Sequence, residues 1–197
     1  MQWDKIWKRG LPRQQLELVV DNQTLANLAN GEASVSNEYY RAPLDRIRMR
    51  LLYLFQHVFD YKADFLDPVD WRPREFNATA DHAANCILQD SSDVDTRSQS
   101  GLLDTLNDAV AVQIFSDGGY ANNEGAAAFV LTSVHDRGNH FETVIIGARG
   151  ILMKNARSAF HAEVTALDIA TEFLLSMVHQ DCEALHSQSS KRAKVSH

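Results

Sequence analysis

Val112-Gln113-Ile114-Phe115-Ser116-Asp117-Gly118-Gly119 joins a run of β-branched and aromatic residues to a carboxylate and two glycines. Such a run reads as a buried strand that hands an acid to an open sheet edge and then turns back. Residues 125–134, Gly-Ala-Ala-Ala-Phe-Val-Leu-Thr-Ser-Val, supply the returning strand, and the small residues at its start let another backbone come close. After a turn at 135–139, residues 141–148 read as a third strand. Residues 158–177 then carry Phe160, Val164, Leu167, Ala170, Leu174 and Met177 at helical spacing, which predicts a long helix with its apolar stripe on the sheet. Glu163 shares that stripe. It is either a partly exposed acid favoured by the dipole near a helix start or an acid directed at a site.

Upstream, residues 16–20 (Leu-Glu-Leu-Val-Val) predict a strand that runs into Asp21, followed by a helix over 24–30 that Gly31 closes. Asp21 reads as a cap of that helix or as a second strand-end acid. Residues 32–43 form a polar connection. Over 44–59, Leu44, Ile47, Leu51, Leu54, Phe55 and Val58 recur every three or four residues, an amphipathic helix whose Arg46, Arg48 and Arg50 are a solvated face or phosphate contacts. A short strand over 69–74 has prolines at its borders, which places it late in the sheet. Asn77 opens a helix over 78–88. Asp81 shares a face there with Ala84 and Leu88, and a carboxylate on a core-facing stripe needs a cation, a metal or hydrogen bonds.

Domain organisation follows from these elements. Residues 1–15, with Trp3, Ile6, Trp7 and Leu11, form an N-terminal helical extension; 16–90 and 111–178 are the two structured segments; 91–110 is a flexible acidic linker; 179–197 is a disordered tail. Within the linker, Leu102, Leu103 and Leu106 predict one helical turn. The chain has 197 residues, 45% of them hydrophobic, enough to bury a core. Nineteen basic against 26 acidic residues give a net charge of −7, so no global positive field advertises nucleic-acid binding. Cys86 and Cys182 make neither a disulfide framework nor a zinc site. The amino terminus lacks a signal segment and no uncharged run approaches membrane-spanning length, so a soluble protein of the cytoplasm or nucleus is expected. The basic cluster at 191–194 is weak support for nuclear import.

The hairpin at Asp117 resembles the opening of a ribonuclease H domain, in the plant and retroelement branch of type 1. In that family four acids hold two magnesium ions. They lie on the first strand, early in the first helix, at the end of the fourth strand, and in the last helix. The matching positions here are Asp117 in Ser-Asp-Gly-Gly, Glu163 in Ala-Glu-Val-Thr-Ala-Leu, Asp21 in Val-Val-Asp-Asn-Gln, and Asp81 in Asn-Ala-Thr-Ala-Asp. Gln23 resembles the residue that reaches the hybrid's minor groove, Asn123 a loop residue near the scissile strand, and Asn77 the asparagine before the last aspartate. Gly118 and Gly119 offer backbone to the substrate.

Two features depart from the family. This chain begins at the fourth strand and ends on the glutamate helix, a circular permutation, and a linker of about 20 residues, spanning up to roughly 65 Å, is long enough to close it within one chain. The alternative is a dimer of swapped half-domains. Secondly, the histidine that many members carry before the last helix is absent: Trp71-Arg72-Pro73-Arg74-Glu75-Phe76 stands there. His82 and His161, each close in sequence to one of the acids, read as surface or packing residues.

The resemblance implies an α/β, ribonuclease H-like fold, with a five-stranded mixed sheet in the family's order 3-2-1-4-5 flanked by helices, circularly permuted. It also implies a metal-dependent endonuclease that cuts the RNA strand of RNA–DNA hybrids with two magnesium ions, manganese substituting, and acts as a monomer. The competing expectations are a catalytically idle module of retroelement origin that binds nucleic acid or a partner, and a related nuclease or strand transferase acting on DNA.

Overall fold

The computed structural model describes residues 15–59, 68–97 and 109–195. Apart from Gln15, the extension expected over 1–15 lies outside these residues, as does the turn expected around Leu102, Leu103 and Leu106. Strand β1 (Gln15–Val20) is followed by α1 (Gln23–Asn30), α2 (Glu38–His57), β2 (Val69–Trp71), a 3-10 turn (Arg74–Phe76) and α3 (Ala78–Asp90). Then come β3 (Val94–Arg97), β4 (Ala109–Ala121), β5 (Glu124–Asp136), β6 (Phe141–Met153) and α4 (Ala159–Val195).

The strands form one mixed sheet in the order β2-β1-β4-β5-β6-β3. Around β4 the pairing changes hand: β1 lies parallel to β4 and to β2, whereas β5 is antiparallel to both β4 and β6. The β4–β5 hairpin closes through Asn122 and Asn123, both at positive φ (52° and 65°), the two-residue turn whose twist suits paired strands. Alternation along β5 divides the core. Phe129 and Leu131 join β1, β4, α1, α2 and α4 in the main apolar cluster, while Ala126 and Ala128 meet Ala84 and Ile87 of α3. Helices therefore cover both faces, and the small side chains of β5 let α3 approach closely.

Several expectations are corrected. The sheet has six strands, not five: residues 94–97, read as linker because they lack apolar alternation, pair antiparallel with Gly147–Gly150 of β6 through backbone bonds that need no such pattern. Helix α2 begins at Glu38 rather than after the polar connection, because Asn37 caps it by accepting a hydrogen bond from Tyr39 N–H at 3.0 Å, and Pro43 is absorbed early in the helix. Helix α4 continues to Val195, through residues expected as a disordered tail. The arginines of α2, expected as a solvated face or as phosphate contacts, are instead partnered within the chain, though Arg46 stays exposed. Arg46 and Arg50 each bind Asp168 of α4 at 2.6 Å, and Arg48 donates to the carbonyl of Leu28, so they tie the helices of one layer together. Among the described residues no helix is long and apolar enough to cross a membrane.

Candidate metal centre

Parallel pairing of β1 with β4 puts two acids side by side. The register ends at Val19 against Phe115, and two residues further on Asp21 and Asp117 stand next to each other. Asp21 is not the cap of α1, because Asn22 takes that role and accepts from Leu25 N–H at 3.1 Å. Its carboxylate is thereby free to face its neighbour. Glu163 comes from the first turns of α4, which the sheet meets at Gly118: a Cβ on Gly118 would overlap the backbone of Ala162 and Glu163. Only a residue without a side chain lets the helix descend this far.

Asp21, Asp117 and Glu163 consequently present carboxylate oxygens all within 4.8 Å of one another. Asp117 is 4% exposed and Glu163 8%. Burial pushes the Asp117 carboxyl up to about 7, with further upward pressure from the charges of Asp21 and Asp81 and from a hydrogen bond with Asp21. Burial likewise raises Glu163 to about 9, assisted by Asp117 and Asp21; a backbone hydrogen bond from Gly118 opposes the shift. The Oε2 oxygen of Glu163 is buried without a hydrogen-bond partner. Three converging hard-oxygen ligands, one of them orphaned, fit a divalent cation of the magnesium or calcium kind. Without a cation, such a cluster relieves its repulsion by taking up protons.

This arrangement fixes the sign of a pH dependence. Between the ordinary carboxylate range and about pH 9, the folded protein holds more protons at Asp117 and Glu163 than the unfolded chain. Stability of the metal-free protein therefore falls as pH rises across that window. Denaturant midpoints in chelator should decline from about pH 5 to about pH 9, and millimolar magnesium should flatten the decline by favouring the ionised cluster. A flat profile in chelator would show that the acids do not repel one another in the fold.

The other expected site residues are placed unevenly. Asp81 lies outside the triad: it forms an ion pair with Arg74 and accepts from Asn85 at 3.1 Å. Its charge still reaches Asp117, so the fourth acid is near but neutralised by a cation that spacing alone did not assign to it. Asn77 is fully buried at the start of α3 and donates to the carbonyl of Ser116 at 2.9 Å, pinning that helix beside Asp117. Gln23 opens α1 at the surface, close in sequence to Asp21. Gly119 packs beneath Leu88 of α3. Asn123 is not brought to the acids: it sits at the hairpin tip, six residues or roughly 20 Å along the strand from Asp117.

Two sets of contacts were not foreseen from the sequence, the second made by His161, which was expected as a surface or packing residue and does pack. Trp71 donates its indole N–H to the backbone carbonyl of Asp21 at 3.1 Å. His161 bonds the Tyr39 hydroxyl through Nε2 at 2.9 Å and accepts from Arg157 N–H at 3.1 Å, while the Arg157 guanidinium covers the Tyr39 ring. Position 71, at the end of a strand beside β1, was the available signal for the first. The second required knowing that α2 starts six residues early. No protein-family model matches the chain, and neither curated proteins nor solved structures give a match.

Proposed function

We propose that this chain is a divalent-metal-dependent endoribonuclease of the ribonuclease H type, with the two halves of that fold in exchanged order, cutting the RNA strand of RNA–DNA hybrids. The observation that carries the reading is the meeting of Asp21, just past the end of β1, Asp117, within β4 beside it, and Glu163, in the first turns of α4. Further support comes from the spatial order β6-β5-β4-β1-β2, antiparallel on one side of β4 and parallel on the other, which is the order 3-2-1-4-5 that the resemblance implies. Both halves belong to one sheet, so a monomer is the proposed form.

Asp117, Asp21 and Glu163 are the proposed ligands, with Asp81 joining from α3. Two magnesium ions bound there, or manganese in their place, would activate the attacking water and stabilise the leaving 3′ oxygen. The chain's own part is positioning. Gly118 N–H holds one carboxylate oxygen of Glu163 and leaves Oε2 for a cation. Asn77 fixes β4 beside Asp117 through the Ser116 carbonyl. Gln23 and the backbone at Gly118 and Gly119 would meet the 2′-hydroxyls that distinguish RNA from DNA, with Asn123 touching the duplex further along.

A labelled RNA–DNA hybrid incubated with the full chain and magnesium tests the proposal. Cutting of the RNA strand alone, stopped by chelator, is the expected result. The second reading, an idle module that retains the fold, draws on the pairing of Asp81 with Arg74 and on the acidic net charge. As a module that binds nucleic acid or a partner without turnover, it predicts no cutting by the folded monomer in either magnesium or manganese.

A further inference from the structure

A hybrid-cutting protein of net charge −7 has little to gain from phosphate neutralisation, the usual source of nucleic-acid affinity. The arginines of α2 are each paired within the chain, and Arg74 is paired with Asp81. What the rim of the acidic centre offers instead is aromatic surface. Trp71 is 44% exposed and Phe76 61%. Both sit on the connection from β2 to α3, and each is anchored to the centre: Trp71 through its bond to the carbonyl of Asp21, Phe76 through its neighbour Asn77, which holds Ser116. The connection is also preorganised. Pro73 fixes its middle, Phe76 N–H bonds the carbonyl of Pro73 at 2.9 Å, and Arg72 is clamped by Glu17 and Asp70. Large apolar rings held outward beside a carboxylate centre, on rigid backbone, match a surface on which bases stack.

Resting on the nuclease reading above, we infer that Trp71 and Phe76 form a stacking platform for unpaired bases, so that the preferred substrate is a hybrid with a single-stranded segment flanking the site. Stacking needs an exposed base face, which a blunt duplex presents only at its ends. Each stacked base is worth about tenfold or more in affinity.

Fluorescence anisotropy of labelled substrates with the full chain, in calcium in place of magnesium, provides the test. The substrates are a blunt hybrid, the same hybrid with a single-stranded tail, and the tail alone. The tail is expected to tighten binding by about tenfold. Trp71→Ala and Phe76→Ala should each remove most of that gain, and Phe76→Ala, whose side chain bonds none of the acids, should leave blunt-hybrid affinity within about twofold. Trp71→Phe retains a ring but not the bond to Asp21, and should keep the gain. Equal binding of tailed and blunt hybrids overturns the platform while the nuclease reading stands. Loss in Trp71→Phe as large as in Trp71→Ala also overturns it, since the indole would then act by holding Asp21. If the chain neither binds nor, in magnesium, cuts any hybrid, the nuclease reading fails and the platform with it.

Discussion

On the proposed nuclease reading, Asp117→Asn is expected to lower magnesium-dependent cleavage of an RNA–DNA hybrid by at least about 10³-fold, because it removes one of the three charges that would hold the cations. The same substitution should make the metal-free protein more stable at alkaline pH. Asp117 is almost fully buried and its carboxyl is pushed up to about 7, so ionising it beside Asp21 and Glu163 works against the fold. Asparagine has nearly the same shape and no charge to bury. Opposite signs for activity and stability are the mark of a residue kept for ligand binding rather than for packing. Melting curves in chelator at about pH 9 and hybrid cleavage rates on the same two proteins read both effects. A variant that cuts as well as wild type would remove Asp117 from the chemistry.

Gly118→Ala should destabilise the chain by about 3 kcal/mol or more, the upper end for overpacking a core position. The added methyl would occupy space held by the backbone of Ala162 and Glu163, and backbone in a helix cannot move aside as a flexible side chain can. Relief requires α4 to lift from β4, which withdraws Val164 and Leu167 from the main apolar cluster and carries Glu163 away from the other two acids. Fold and site should therefore fail together. Urea unfolding monitored by circular dichroism gives the size of the loss. A shift below about 0.5 kcal/mol would mean that the helix does not rest on this glycine.

The features legible in the sequence were those carried by short-range pattern. The alternation around Val112 locates β4 within a few residues, and the helical stripe from Phe160 to Met177 locates the start of α4 but not its end at Val195. The double glycine after Asp117, expected where the strand turns back, stays paired within β4, which turns only at Asn122 and Asn123. Asp21 was legible as a strand-end acid but not separable from a helix cap; it is Asn22, one position on, that does the capping. Edge strand β3 was illegible because its stability lies in backbone bonds to β6, while Val94, Asp95 and Thr96 lie exposed. The arginines of α2 looked like surface because periodicity cannot foresee Asp168, which approaches from a helix far along the chain. Asp81 is the clearest division of labour: its position on the stripe called for a partner, and only the fold shows that Arg74 supplies one.

The most direct measurement is calorimetric titration of magnesium, and of manganese, into metal-free full-length chain at about pH 8, where proton competition at Asp117 has begun to ease. Saturable binding that Glu163→Gln abolishes while the protein stays folded is the predicted result, and proton release on binding should accompany it. Absence of binding by a folded chain, or binding unchanged in Glu163→Gln, would contradict a cation site built from Asp21, Asp117 and Glu163.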